Sequence, residues 1–225
     1  MTGFTTQTFQ ILGELEENNT REWYEENKER LKEHARLPFA GMLGIATVLL
    51  EGSRYPLIGN EKTMFRQNRD VRFSKDKTLY KTHVSGLLSR SGTKKDMDGV
   101  AYAQVGSKGG RVAGGFYQLA TADLNKVRDR MVVDAEQFAD IAKTLEDKGL
   151  RLNRENTLKT MPRGFKEHEE HPLAEFLKLK SFTVRAEQPK DIWLSGDIVE
   201  RLVGLSEMIG PLNAWIRDAL TYEPR

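Results

Sequence analysis

Two strand-like runs around a glycine-rich turn set the tightest limit on how this chain can fold. Residues 99–105 and 111–119 flank Gly106-Ser-Lys-Gly-Gly110, the pattern of a β-hairpin with a glycine-containing loop. Gly114-Gly115 in the second run predicts a bulge or the close approach of another segment to the backbone. Residues 82–88 read as a further strand. So do residues 181–187, where Phe182, Val184 and Ala186 alternate.

Outside these runs the apolar period is helical. Phe9, Ile11, Leu12 and Leu15 mark a helix over 5–17, and Asn18-Asn19-Thr20 supplies a cap for the next, over 21–37. Pro38 suits the start of a third helix over 39–50, in which Met42, Leu43, Ile45, Ala46, Leu49 and Leu50 read as buried. Thr121 and Asp134 are expected to cap helices over 122–133 and 135–148, with Gly149 closing the second. Residues 150–160 read as extended and 172–178 as a short helix. Ser195 and Asp197 open a last helical region that Gly210-Pro211 should break or kink. Trp23, Tyr24, Trp193 and Trp215 sit at amphipathic positions and read as core. The sum is one α+β domain over residues 1–225, an antiparallel or mixed sheet flanked by helices.

Composition narrows the function classes. The 225 residues are 38% apolar and 30% charged, the balance of a soluble globular protein. With 35 basic and 33 acidic residues the net charge is only +2, so any basic surface must be local. The absence of cysteine excludes disulfides, thiol catalysis and cysteine-bound metals. The longest apolar stretch, 38–50, is shorter than the roughly 20 residues a bilayer span needs, and the first residues lack a signal-peptide pattern. A cytoplasmic protein with no membrane partner is the expectation.

Residues 62–83 hold the local charge: Lys62, Arg66, Arg69, Arg72, Lys75, Lys77 and Lys81 against Asp70 and Asp76. Read as a strand, 64–75 places Arg66, Asn68, Asp70, Arg72 and Ser74 on one face. Val71 and Phe73 then point into the core. Ser74-Lys-Asp-Lys77 reads as a turn in which Asp76 bonds its own backbone. Guanidinium forks match carboxylate and phosphate oxygens two at a time. The segment is therefore expected to bind a small phosphorylated or carboxylated molecule. Arg66, Arg69, Arg72, Lys75, Lys77 and Lys81 would hold the anion, Asp70 and Asp76 orient the cations, and Arg163 and Lys180 close the site. Whether a reaction follows stays open, with Asp70 and His171 as acid/base candidates. Three readings compete: a nucleic-acid surface on the same strand, a non-catalytic partner-binding protein, and a buried ion network with Glu51 or Glu61.

Arg69-Asp-Val-Arg-Phe-Ser-Lys-Asp-Lys77 with Tyr80-Lys-Thr82 resembles the signature of the domain of unknown function 2461 family. Further matches run in one order along residues 4–185. They are Leu15 through Tyr24, Gly110-Arg-Val-Ala-Gly-Gly-Phe-Tyr117, Leu158-Lys-Thr-Met-Pro-Arg-Gly-Phe165, His171-Pro172 and Leu179-Lys-Ser-Phe182. Leu79 stands where the family often has proline. The resemblance implies an α+β domain and assigns no activity.

His168-Glu169-Glu170-His171 lacks the H-E-x-x-H arrangement of a zinc helix, and Pro172 opposes a helix there, so a solvated acidic loop is preferred to a metal site. The glycine run 106–115 matches neither phosphate-loop nor dinucleotide spacing. Neither metal nor cofactor is expected, and the oligomeric state is not legible.

Overall fold

A computed structural model describes residues 3–95 and 98–222. Its centre is a four-stranded antiparallel sheet in the order β1 (His83–Leu88), β2 (Val100–Gly106), β3 (Gly109–Phe116), β4 (Phe182–Gln188). The α+β expectation holds, and the sheet is wholly antiparallel. β2 and β3 form the expected hairpin, with Ser107 and Lys108 between the paired Gly106 and Gly109.

Alternation decides which face is covered. Val84, Leu88, Ala101, Ala103, Val105, Val112, Phe182 and Val184 are buried on one face, against α3 (Leu37–Leu50), α7 (Lys190–Ser195) and α8 (Ile198–Leu220). The register brings His83, Ser85, Leu87, Tyr102, Gln104, Arg111, Ala113, Thr183 and Arg185 to the other face. On that second face Ser85 and Leu87 are buried, while His83, Tyr102, Gln104 and Arg111 are only partly covered and stay in reach of a ligand. Trp193, fully buried in the short α7, meets Phe4 edge-on with ring centroids 5.1 Å apart and stacks on Phe39 at 6.5 Å. The sequence reading passed over α7, whose six residues are too few to show a helical period.

α1 (Thr6–Glu17) and α2 (Arg21–Leu31) are as expected, with the Thr20 hydroxyl accepting from the Trp23 N–H. The helical path begun by α2 is not interrupted before Pro38. It passes through one π-helical stretch, Lys32–Arg36, into α3. The wider turn, in which the Leu37 N–H reaches the Lys32 carbonyl, carries the helix past a proline that donates no hydrogen bond. Within α3 the buried set is Phe39, Met42, Leu43, Ala46 and Leu50; Ile45 and Leu49 face outward, at 40% and 55% exposure. A helix has only one inner stripe, and an apolar sequence all round does not enlarge it.

Other elements depart from expectation for local reasons. Ala120, not Thr121, occupies the cap position of α4 (Thr121–Val133). Asp134 precedes α5 (Ala135–Asp147) but spends its carboxylate on Arg130 at 3.1 Å. Residues 150–160 form no strand, although the Asn153 and Leu158 N–H groups donate to Thr183 and Lys178 carbonyls. Residues 172–178 hold only the short α6 (Ala174–Leu177). α8 runs unbroken through Gly210-Pro211, and Gly210 leaves the space into which the Tyr55 ring packs. Gly114-Gly115 is not a bulge, since the pairing with β2 and β4 is continuous there. It is a close approach: a Cβ on Gly114 would lie 3.1 Å from Leu205 of α8 and 2.9 Å from the Val100 carbonyl.

The basic segment is not a strand. Only Met64 and Asn68 pair in β fashion, with Gly86 and Tyr80, so 64–69 lies irregularly along the outer edge of β1 and its approach. Beyond Arg69 the chain leaves the sheet. Phe73, expected in the core, is 95% exposed. The cause is local pairing: Asp70 turns back onto Arg72 and Asp76 onto Thr78, and both bonds favour turns over extended chain.

Candidate functional site

The open sheet face is built outward from Gln104. Its side-chain oxygen accepts from the Tyr102 hydroxyl at 2.8 Å and from the Arg111 guanidinium at 3.1 Å, so two strands hold Arg111 in place. Tyr102 stays protonated, its pKa raised by burial. Phe65, on the edge segment, lies 6.2 Å from the Tyr102 ring, and Lys81 extends its ammonium over Phe65 at 5.1 Å. Gln67 fixes this edge by donating to the Lys81 and His83 carbonyls.

Two hollows meet at Arg111. One, of about 420 Å³, is floored by Phe65, Leu87, Tyr102 and Ala113, with Asn153 and Glu155 at its far wall. The other, of about 450 Å³, is lined by His83, Gln104, Lys108, Glu16 and Glu187. Arg185 also borders the first hollow, but Glu155 holds it at 2.8 Å. Among the described residues no carboxylate lies within 4.0 Å of Arg66, Lys81, Lys94 or Arg111.

The electrostatics register that imbalance. Burial lowers the Lys81 pKa, and the nearby Arg66 and Lys94 lower it further. His83 is pushed down to about 4, first by burial and then by Lys81, Arg111 and Arg69. Its imidazole is neutral at pH 7, since neighbouring positive charge disfavours a second one.

The expected site residues divide into three places. Lys81 lies over Phe65 at the edge of the sheet face, and the exposed Arg66 acts through its charge on both Lys81 and Asp70. Arg69 is held by Asp76 at 2.5 Å and by Thr78, while Arg72 forms a fork with Asp70 at 2.9 and 2.7 Å. Asp76 is held down at about 2 by its bonds from Thr78 and Arg69. Each arginine thus has its own acid, and neither is Glu51 nor Glu61. Lys75 is exposed, and Lys77 donates to the Val71 carbonyl in the same loop. Arg163 and Lys180 line a separate hollow that includes no residue of 62–83. They cannot cover the basic segment because 150–163 is tied to the β4 side of the sheet.

His171 uses Nδ1 to accept from the Leu173 N–H at 3.1 Å, which fixes a turn. Among the described residues no cluster of His, Asp and Glu could hold a metal. No described helix is long and apolar enough to cross a membrane. Sequence reasoning passed over Arg111, Tyr102, Gln104 and His83 as a group. The period-two placement of Tyr102 and Gln104 in 100–105 was the available signal; residues 111–115 carry only Arg111 as a polar side chain.

A protein-family profile described as "Conserved hypothetical protein (DUF2461)" matches residues 7–215. No curated protein matches the chain. No solved structure matches it either.

Proposed function

The chain belongs to the conserved hypothetical protein family DUF2461, whose description assigns no activity, and we propose from the geometry that the open sheet face binds a small organic anion. The observation that carries this reading is Arg111 beside an apolar floor of Phe65, Leu87 and Tyr102, with the Lys81 ammonium over Phe65 and, among the described residues, no carboxylate within 4.0 Å of either cation. A phosphate or carboxylate head would sit on Arg111, already aimed by Gln104. A planar or apolar body would lie against Phe65, Leu87 and Tyr102. Cationic groups kept in place before the ligand arrives lose little freedom on binding.

The test is thermal melting against inorganic phosphate, benzoate and phenyl phosphate. The aryl anions are expected to raise the melting temperature more than inorganic phosphate at equal concentration. Arg111→Ala should remove the effect, since a hydrogen bond to a charged group contributes about 1.5–3 kcal/mol. Absence of stabilisation by every member of the panel overturns the reading.

A second reading is favoured by the loop tip, where Phe73 is almost fully exposed between Arg72 and Lys75. An exposed ring among cations suits base stacking on single-stranded nucleic acid. On this reading oligonucleotide retention at low salt falls steeply as salt rises, and Phe73→Ala weakens it. Retention that is absent, or flat with salt, removes it.

A further inference from the structure

Arg163 and Lys180 have no place in the sheet-face site, yet they share a hollow of about 680 Å³. One wall is the start of α4, with Thr121, Asn125 and Arg128; another is the segment bearing Thr160 and Arg163. Arg128 is only 3% exposed, and among the described residues no carboxylate lies within 4.0 Å of it. Its guanidinium donates to the Leu177 carbonyl at 2.7 Å, the Leu179 carbonyl at 3.2 Å and Asn125 Oδ1 at 3.0 Å. A guanidinium has five N–H groups. Three are used here, all on neutral acceptors. A buried positive charge without a counter-ion is costly, and burial lowers the Arg128 pKa accordingly. None of the side chains lining the hollow is acidic.

We propose that this hollow is a second anion site, with Arg128 in its wall and Arg163 and Lys180 at its rim, that takes a phosphoryl-bearing ligand. Arg128 supplies a rigid planar fork whose position the Leu177 and Leu179 carbonyls set. Arg163 and Lys180 add mobile charge from two further segments, and the Thr121 and Thr160 hydroxyls can donate to remaining oxygens. Three cations match a multiply charged head better than a single carboxylate. The inference is independent of the sheet-face reading, because no residue is shared between the two hollows.

The probe is inorganic pyrophosphate, titrated calorimetrically into the full chain at pH 8 and low salt. Binding is expected for the natural sequence and at least tenfold weaker for the double variant R163A/K180A, whose exposed positions leave folding intact. R128K keeps the charge but loses the fork, and it too should bind more weakly. Should R128K fail to fold, the exposed pair alone decides. K159A/K166A removes two nearby charges outside the hollow and is expected to bind like the natural sequence. Pyrophosphate that does not bind, or that binds R163A/K180A as tightly as the natural sequence, overturns the proposal. Equal weakening by K159A/K166A overturns it as well, since the effect would then be general charge.

Discussion

Gly114→Ala is expected to destabilise the protein by about 3 kcal/mol or more, the upper range for overpacking a core. The added methyl would lie 2.9 Å from the Val100 carbonyl and 3.1 Å from Leu205, and Ile209 crowds the same point. The leucine can turn aside, but a carbonyl fixed in the β2–β3 ladder cannot. Gly114 therefore sets how closely α8 rests on β3, and β3 is the strand that holds Arg111. Gly204 of α8 is the control. A Cβ there meets nothing within 4 Å, so Gly204→Ala should stabilise by roughly 0.5–1 kcal/mol through helix propensity. Urea unfolding of both variants checks the pair, and a Gly114→Ala protein of unchanged midpoint would contradict the packing described.

The second large effect concerns acid. His83 titrates at about 4 in the folded chain and near 6.5 when unfolded, so the unfolded chain binds more protons between those values. Its contribution is complete above pH 6.5 and is lost as pH falls towards 4. The ring is partly exposed, which trims the cost to about 2–3 kcal/mol at 1.36 kcal/mol for each pKa unit. Asp76 acts in a lower window, between its ordinary value of 3.8 and about 2, so the two do not overlap. His83→Gln should flatten the fall in stability between pH 6.5 and 4.5, measured by denaturant midpoints. An anion on Arg111 would raise the His83 pKa, so ligand should protect the natural protein more at pH 5 than at pH 7.5. Benzenesulfonate is the suitable probe, because its own charge does not change in that range. Equal slopes for the two proteins would show that His83 is not held neutral.

The hairpin was legible because the glycine run 106–110 supplies a turn residue, Gly109 with φ of 115°, that few other residues could replace, and the alternation in β2 has period two. The helices were legible where an apolar stripe recurs every three or four residues. Pro38 and Gly210-Pro211 misled for one reason: whether a proline breaks a helix depends on what receives the freed carbonyl and the ring. A π turn answers the first case, and α8 stays unbroken in the second. Phe73 misled because a strand needs an edge to pair with, and the acids at 70 and 76 bent the segment off that edge first.

Order and spacing of residues were enough to determine the α+β class, the family and a local excess of positive charge. Which cations stand together was decided in three dimensions. Coulomb interaction depends on separation in space, and the sheet register sets Arg111 beside Gln104 with His83 in its field, whereas Arg72, nearer in sequence, is paired with Asp70 of its own loop.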